Sequence, residues 1–311
     1  MQGWGSIPNR ENHIVCSPSA LIKFRESPEV YKKIYIDNEK EETESMSFGT
    51  MVHMRILQPE KFFAEYSILP EKTPENDFDS EALKNICKEL GEKITGTKRE
   101  LAERIRIHKP EFKIYEEIVD EVSAEGKKLA PNSVMKRVNA IYEKLMSHPK
   151  VGKWIDLAEK EKKGYWTHKS GVVMPFVADA FFEYNGAAVI IDLKITTHFE
   201  PRRFENSNYT EGRAIQAATY CKAISAIEGR DYENFLFVAI EPNSPNRIRF
   251  YQADGAMLEA GEVELDYYME EFKTRHEAND FGPRKSDLEI QTTSLASWEW
   301  EKINNIGERN V

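Results

Sequence analysis

Two apolar β-strands joined by an Asn-Gly turn are predicted for residues 177–197, V-A-D-A-F-F-E-Y-N-G-A-A-V-I-I-D-L-K-I-T-T. Asn-Gly is typical of a two-residue type I′ turn, which would pair Tyr184 with Ala187. Counting outward in that register places Asp179 opposite Asp192. Directly opposed residues have Cβ atoms about 4.5–5.5 Å apart, and like charges there are destabilising. We therefore expect a cation between the two carboxylates.

Lys194 lies two positions after Asp192 and projects from the same face of its strand, whereas Leu193 points the other way. An ordinary alternative is a solvated hairpin face with an Asp-Lys ion pair. It is disfavoured because V-I-I-D-L-K-I is otherwise apolar on both faces, and burying unpartnered charges is unfavourable. A hard divalent cation, Mg²⁺ with Mn²⁺ as a substitute, would relieve the repulsion and lower the pKa of a water. Lys194 could orient that water or stabilise a phosphoryl oxygen, so the pattern predicts metal-assisted phosphodiester hydrolysis.

Composition indicates a globular protein without a membrane segment. The 311 residues are 40% apolar and 31% charged, enough for one large domain or for one domain with a small accessory. There is no run of 18 apolar residues, and the N-terminus has no secretory signal, so we expect a cytoplasmic protein. Cys16, Cys87 and Cys221 are scattered, which predicts neither disulfides nor a thiolate zinc site. The net charge of −10 argues against wide wrapping of nucleic acid but is compatible with a local basic channel.

Helical and strand patterns predict a mixed sheet flanked by helices. Ser17 and Pro18 begin an amphipathic helix, and a second helix begins near Gly49 and contains His53. Further along we expect, in order, a helix from 131 to 145, strands at 172–184 and 187–195, a helix from 211 to 227, strands at 235–241 and 247–253, and a helix from 257 to 276. The tail after Phe281 has no firm period.

A small helical module is predicted between a polar linker at residues 70–79 and residue 115. Gly91 ends its first helix, and Thr97 with Glu100 makes a capping box for its second. Residues 80–113 contain nine Lys or Arg and six Glu, which gives this segment a net charge of +3. The N-terminus of the second helix could bind phosphate through Thr97 and Lys98, with help from Arg99 and Arg104. A helical hairpin with a solvated charged face is the plainer alternative.

Taken together, these motifs resemble the PD-(D/E)XK nuclease superfamily, in the branch of the RecB nuclease domain and exonuclease VIII (RecE). The resemblance rests on S-P-S-A-L-I-K-F-R-E-S-P-E-V-Y, F-G-T-M-V-H-M-R-I-L-Q-P-E-K-F, V-A-D-A-F, I-I-D-L-K-I-T-T and R-A-I-Q-A-A-T-Y-C, which follow one another in the RecE order. It covers most of residues 14–275 apart from the helical module, which itself resembles a SAP motif. Ala178 replaces the proline of the superfamily name.

The resemblance implies roles for individual residues. Asp179 and Asp192 would bind metal, with the backbone carbonyl of Leu193, and Lys194 would be the catalytic lysine. His53 matches a histidine that lies beside the metal in this branch. Gln216 and Tyr220 share a helix face and match an element that lines the catalytic site. Glu161 is a candidate for a further acidic ligand, although Glu159 competes with it and a charged helix end would explain both.

The resulting fold prediction is an α/β (α+β) restriction-endonuclease-like core with a small helical insertion. Its expected divisions are 1–75 (N-terminal helical part), 76–115 (SAP-like insertion), 116–280 (nuclease core) and 281–311 (tail). The resemblance implies a Mg²⁺-dependent 5′-to-3′ exonuclease of the exonuclease VIII type, acting on double-stranded DNA ends in phage or bacterial recombination and repair. The alternatives are a single-strand- or structure-specific RecB-like nuclease, and a DNA-binding accessory protein without catalysis.

The resemblance also implies partners and a location. A ring-like homo-oligomer around DNA and a single-strand annealing protein as partner are expected, in the cytoplasm of a bacterial or phage-infected cell. Arg202, Arg203 and Arg213 are candidates for contact with a terminal phosphate.

Overall fold

A central mixed β-sheet organises the molecule, which we describe from a computed structural model covering residues 1–41, 43–184, 187–290, 292–295 and 297–308. Its strands are β1 (Gly3–Trp4), β4 (Glu159–Thr167), β5 (Val173–Tyr184), β6 (Ala187–Ile195), β7 (Phe235–Ile240) and β8 (Ile248–Gln252), in the spatial order β1-β4-β5-β6-β7-β8. All neighbouring pairs are antiparallel except β6 and β7, which are parallel. This is the mixed sheet that the sequence predicts.

Helices cover both faces of the sheet. They are α1 (Pro18–Glu26), α2 (Pro28–Tyr31), α3 (Glu44–Leu57), α4 (Pro59–Glu65), α5 (Ser80–Glu89), α6 (Lys98–His108), α7 (Tyr115–Ser123), α8 (Asn132–Met146), α9 (Val151–Leu157), α10 (Pro201–Asn206), α11 (Arg213–Glu228), α12 (Gly255–Ala278) and α13 (Ser297–Glu308). A π-helix (Lys32–Ile36) continues α2, and short 3-10 helices span Arg10–Asn12 and Lys285–Leu288. No helix of the described residues is long and apolar enough to cross a bilayer.

Strand β6 separates two parts of the core. Leu193 packs with α3, α8 and α9 on one face of the sheet, as its expected orientation requires. Ile190 is three residues before Leu193, so its side chain points to the other face of the sheet, where it packs with α11. Asp192 and Lys194 alternate with Leu193 and therefore project toward α11. A third cluster joins α1 to α12, so the N-terminal helix is fixed beside the same face.

Several local predictions are confirmed and others need correction. Ser17 caps α1, and Thr97 with Glu100 forms the predicted capping box of α6. The helix that carries His53 begins five residues before Gly49, because Thr43 caps it through the backbone N–H of Met46. Residues 159–167 form strand β4 rather than a helix end, and the tail contains helix α13.

The inserted segment leaves and rejoins the body at a small two-stranded sheet. Strand β2 (Tyr66–Ile68) pairs in parallel with β3 (Lys128–Ala130). In the sequence, helices α5 and α6 fall between these two strands. They share a separate hydrophobic cluster that includes Leu83, Leu101 and Ile105. The helical pair thus has a hydrophobic core of its own.

Candidate active site

The hairpin register predicted from the sequence is confirmed. Strands β5 and β6 pair from Tyr184–Ala187 to Ala180–Ile191, whereas the predicted Asn185-Gly186 turn itself lies outside the described residues. The ladder ends one step before Asp179 and Asp192. At that point the backbone N–H of Leu193 donates a 2.8 Å hydrogen bond to Asp179 Oδ2. The two carboxylates therefore meet where the strands stop pairing.

Gln216 of α11 joins two of the predicted residues. Its Nε2 donates to Asp192 Oδ1 at 2.7 Å, and its Oε1 accepts from Lys194 Nζ at 2.9 Å. Lys194 Nζ also lies 2.9 Å from Asp192 Oδ2, which completes a closed set of contacts. The Asp192 side chain is only 8% exposed, so these neighbours take the place of the water that it loses on burial.

Asp179 is held between a histidine and the second carboxylate. His53 Nδ1 lies 3.5 Å from Asp179 Oδ2, which places the predicted histidine of α3 beside the site. Burial raises the pKa of Asp179 to about 6, and the nearby charge of Asp192 acts in the same direction. His53, the N–H of Leu193 and Lys194 lower it only partly. A bound cation would favour the ionised form of Asp179 and oppose this rise in its pKa.

Glu161 rather than Glu159 lies opposite Asp179. Strand β4 pairs Lys160 with Ala180 and Lys162 with Ala178, so Glu161 stands between these pairs at the position of Asp179. Its φ of 52° is unusual for a residue other than glycine and marks a local distortion. Glu159 instead pairs with Lys162 at 2.8 Å, and its side chain is 67% exposed.

Tyr220 of α11 contacts strand β5 next to the site. Its hydroxyl donates to the carbonyl oxygen of Val177 at 2.8 Å, and its ring is buried against Phe176 and Phe235. Burial raises the pKa of this hydroxyl well above its usual range. The contact ties α11 to strand β5 two residues before Asp179, so the geometry gives Tyr220 a positioning role.

The carboxylates fit a hard divalent cation. Asp192 Oδ2 is buried and makes no hydrogen bond of acceptable geometry, although Lys194 lies near it. Within the described ranges, no three His, Cys, Asp or Glu side chains converge as a ready metal cluster. A cation here would be held by Asp179 and Asp192 with carbonyl, water or phosphate oxygens, which is the ligand set that Mg²⁺ favours. The side chain of Leu193 points away, so only its backbone could contribute.

The cationic side chains expected to bind DNA in the inserted module are already engaged. Lys98 pairs with Glu116 at 2.8 Å, and Arg99 pairs with Asp120, both acids lying on α7. Arg104 donates to the carbonyl oxygens of Lys93 and Thr95. Thr97 caps α6, and its own N–H is bound by Glu100. Contact with phosphates would therefore have to replace existing partners.

Two features of the site differ from what the sequence predicts: a cleft leads to it, and Arg213 is buried. A cleft of about 900 Å³ runs from the N-terminus of α1 and the π-helix to Lys194, Gln216 and Tyr220. Arg213 is 1% exposed and donates to Phe204 O and Ser207 Oγ, so it is not placed to bind a terminal phosphate. Arg202 and Arg203 are exposed. A stretch of tyrosines and lysines at residues 31–35 was the available signal for the cleft.

Comparisons with known proteins identify the family and the fold of the chain. Residues 17–286 match the model of a family described as "PDDEXK-like domain of unknown function (DUF3799)". A crystal structure of a protein from Eubacterium rectale, described there as a "Putative exonuclease", is similar with a TM-score of 0.56 and 13% sequence identity. The match covers 95% of this chain and 98% of that one and shows a shared fold. No curated protein matches significantly in sequence. The exonuclease VIII branch and the SAP motif stay predictions.

Proposed function

The chain belongs to the family of PDDEXK-like domains, and from this premise we propose that it is a deoxyribonuclease that depends on a divalent metal. One observation carries the proposal: Asp179, Asp192 and Lys194 meet at the end of the β5–β6 ladder, with Gln216 bonded to two of them. Such a group of buried charges is unfavourable for stability alone. It matches the needs of phosphodiester hydrolysis, in which negative charge must be offset at the phosphate.

Each residue has a defined part in the proposed reaction. Asp179 and Asp192 would hold Mg²⁺, with Mn²⁺ as a substitute, and the carbonyl of Leu193 is a third candidate ligand. When bound, the cation would lower the pKa of a water and offset phosphate charge. Lys194, fixed by Gln216 and Asp192, can donate a proton or a hydrogen bond toward the phosphate or the attacking water. His53 Nδ1 lies 3.5 Å from Asp179 Oδ2, so its ring is placed to hydrogen-bond to a water held at that carboxylate.

We further propose an exonuclease of the exonuclease VIII type, which digests linear duplex DNA from its 5′ ends. The support is the order of motifs along the chain and the overall fold, which is shared with the protein from Eubacterium rectale described as a putative exonuclease. A ring-like homo-oligomer, a single-strand annealing partner and a role in recombination belong to the same proposal. Light scattering of the purified protein tests the oligomer, and co-purification with an annealing protein tests the partner.

The decisive experiment compares end-labelled linear duplex with covalently closed duplex DNA. We expect the wild-type protein to release label from linear DNA in Mg²⁺ or Mn²⁺, to spare closed circles, and to stop in excess EDTA. Asp192→Asn should lower the rate by about 10³-fold or more, because it removes a charge that acts in the transition state. Asp156→Asn, which changes an exposed carboxylate on α9, is the matched control.

The outcomes separate the alternatives. Cleavage of closed circles would exclude the exonuclease assignment, and full activity of Asp192→Asn would exclude the chemistry proposed for the site. A preference for single strands or flaps would identify the RecB-like alternative. Tight DNA binding without cleavage in either metal would show that the protein is an accessory factor.

A further inference from the structure

The cleft beside Lys194 has a composition that the hydrolysis of a phosphate does not explain. Much of its lining is apolar, and three of the large apolar side chains that the fold leaves exposed, Tyr35, Met46 and Val177, all face it. Val177 is on strand β5, two residues before Asp179, so one wall of the cleft continues directly into the candidate site. A phosphate requires donors and cations, whereas flat apolar surface favours a nucleobase.

Tyr35 is the exposed aromatic ring of this lining. It is 40% exposed, and its ring stacks on Tyr31 with centroids 5.3 Å apart and an interplanar angle of 23°. Tyr31 is buried and is held edge-on by Phe24 and Phe272. The exposed ring therefore rests on a rigid aromatic support, which reduces the entropy lost when a base stacks on it.

The backbone that carries Tyr35 is unusual. Residues Lys32–Ile36 form a π-helix, a rare conformation that occurs most often at functional sites. It directly continues α2, so Tyr31 and Tyr35 lie on one side of the combined helix and meet in the stack described above. The conformation thus presents Tyr35 to the cleft while Tyr31 stays in the core.

Charge in the cleft is mixed rather than strongly basic. The ionisable lining residues are Lys23, Lys33, Lys40 and Lys194 together with Glu39, Glu41 and Glu211. Lys33 pairs with Glu41 at 3.1 Å, and Lys23 pairs with Glu26 at 2.8 Å. These cations can exchange partners with one strand of phosphates, but they do not form the continuous basic surface that grips a duplex through its backbone. Binding of a nucleic acid in this cleft must therefore depend on contact with a nucleobase.

We propose that the cleft binds an unpaired nucleotide of the DNA strand being cut, with its base stacked on Tyr35 and its phosphate chain leading to Lys194. This inference rests on the proposed nuclease function and specifies its substrate: a strand end whose terminal base is out of the duplex. A paired base is stacked within its own helix and has no free face, whereas an unpaired base of any identity can stack on an aromatic ring.

The test uses the full-length protein in EDTA, so that binding is measured without cleavage. The probes are single-stranded oligonucleotides that carry 2-aminopurine at one position each, moved along the strand, since stacking quenches this base. In wild-type protein, quenching should be greatest at one position. Tyr35→Ala should abolish it and weaken single-strand binding by about 5- to 150-fold, the range for losing one stacked base. Tyr35→Phe should retain both properties.

Controls keep the result interpretable. Tyr35→Leu tests for an effect on folding, because it preserves apolar packing without an aromatic face and should lose quenching as the alanine variant does. Tyr267→Ala changes a tyrosine that is 65% exposed on α12 and should behave like the wild type. The inference is overturned if wild-type protein does not bind single strands, or if Tyr35→Ala binds and quenches as the wild type does. Absence of metal-dependent cleavage by wild-type protein would instead remove the nuclease assignment, whatever the binding result.

Discussion

Gln216 Nε2 donates to Asp192 Oδ1 at 2.7 Å, and this orientation of the amide leaves its oxygen to accept from Lys194. A side-chain amide has one donor end and one acceptor end, so only this orientation lets it donate to the carboxylate and accept from the ammonium group at the same time. The position of Lys194 is therefore coupled to that of Asp192 through a single side chain on α11.

Replacement of Gln216 should reduce activity without unfolding the protein. Gln216→Glu keeps the size of the side chain but places an oxygen against Asp192, so a buried acceptor loses its donor. We expect a loss of about 1–3 kcal/mol, or about 5- to 150-fold in rate. Single-turnover cleavage of linear DNA measures it, with Gln252→Glu, at the exposed last residue of β8, as control. An unchanged rate would show that the amide is not needed.

Tyr220→Phe should affect stability more than chemistry. The change leaves the carbonyl of Val177 without its donor, and we expect a loss of about 1–3 kcal/mol in the free energy of unfolding. Urea denaturation measures this loss, and Tyr267→Phe is the control. If Tyr220 instead touches the reacting atoms, cleavage will fall by far more than the change in stability explains.

The stability of the metal-free protein should depend on pH through Asp179. The pKa of this carboxyl is raised from 3.8 to about 6, first by burial, so the folded protein holds the proton more tightly than the unfolded chain does. Its contribution to stability is present at acid pH and is lost as pH rises through about 6. In EDTA, the melting temperature of the wild type should fall relative to that of Asp179→Asn across this interval. A difference that does not vary with pH would contradict the shifted pKa.

Glu161 and Glu159 form a matched pair of variants. Glu161 occupies the position opposite Asp179 in the β4–β5 register, whereas Glu159 is exposed and paired with Lys162. We expect Glu161→Gln to lower metal-dependent cleavage by about tenfold, corresponding to about 1.4 kcal/mol, and Glu159→Gln to leave it unchanged. Titration of activity with Mg²⁺ should show a weaker apparent affinity for the first variant only. The reverse pattern would assign the acidic role to Glu159.

The acids of α7 should restrain DNA binding by the inserted module. The double change Glu116→Gln with Asp120→Asn removes the partners of Lys98 and Arg99. If these cations bind phosphates, duplex affinity should rise, and its logarithmic salt dependence should steepen by about 0.9 for each additional phosphate that they neutralise. Fluorescence anisotropy at several salt concentrations measures both. Glu259→Gln with Asp156→Asn changes two exposed acids elsewhere and should have no effect.

Local chemistry made much of the fold and site predictable. The Asn-Gly pair in the sequence predicted the register that brings Asp179 to Asp192, and Ser17 with Pro18 predicted the cap of α1, because each depends on neighbours in sequence. The placement of Lys194 on the same face of the strand as Asp192 followed from its position two residues later. These features need no knowledge of distant contacts.

Other features depend on residues far apart in the chain. Residues 159–163 are E-K-E-K-K, which has no strand pattern, and they become β4 only because β5 offers its backbone for pairing. Lys98 is paired with Glu116, on a helix that begins 17 residues later at Tyr115. Arg213 is buried through nearer contacts, with Phe204 O and Ser207 Oγ, which depend on how the chain turns after α10. Sequence alone shows the charges but not their partners.

The pairing of β2 with β3 has a consequence for how such a chain could diversify. Because Tyr66–Ile68 lies beside Lys128–Ala130, the polypeptide between them departs and returns at adjacent strands. Because the two strands are parallel, the connecting chain must cross back along the pair before it re-enters at Lys128, which takes about a dozen residues or more. Residues 69–127 greatly exceed this minimum, so crossover segments of other lengths and sequences could replace them while the pairing of β2 with β3 is kept.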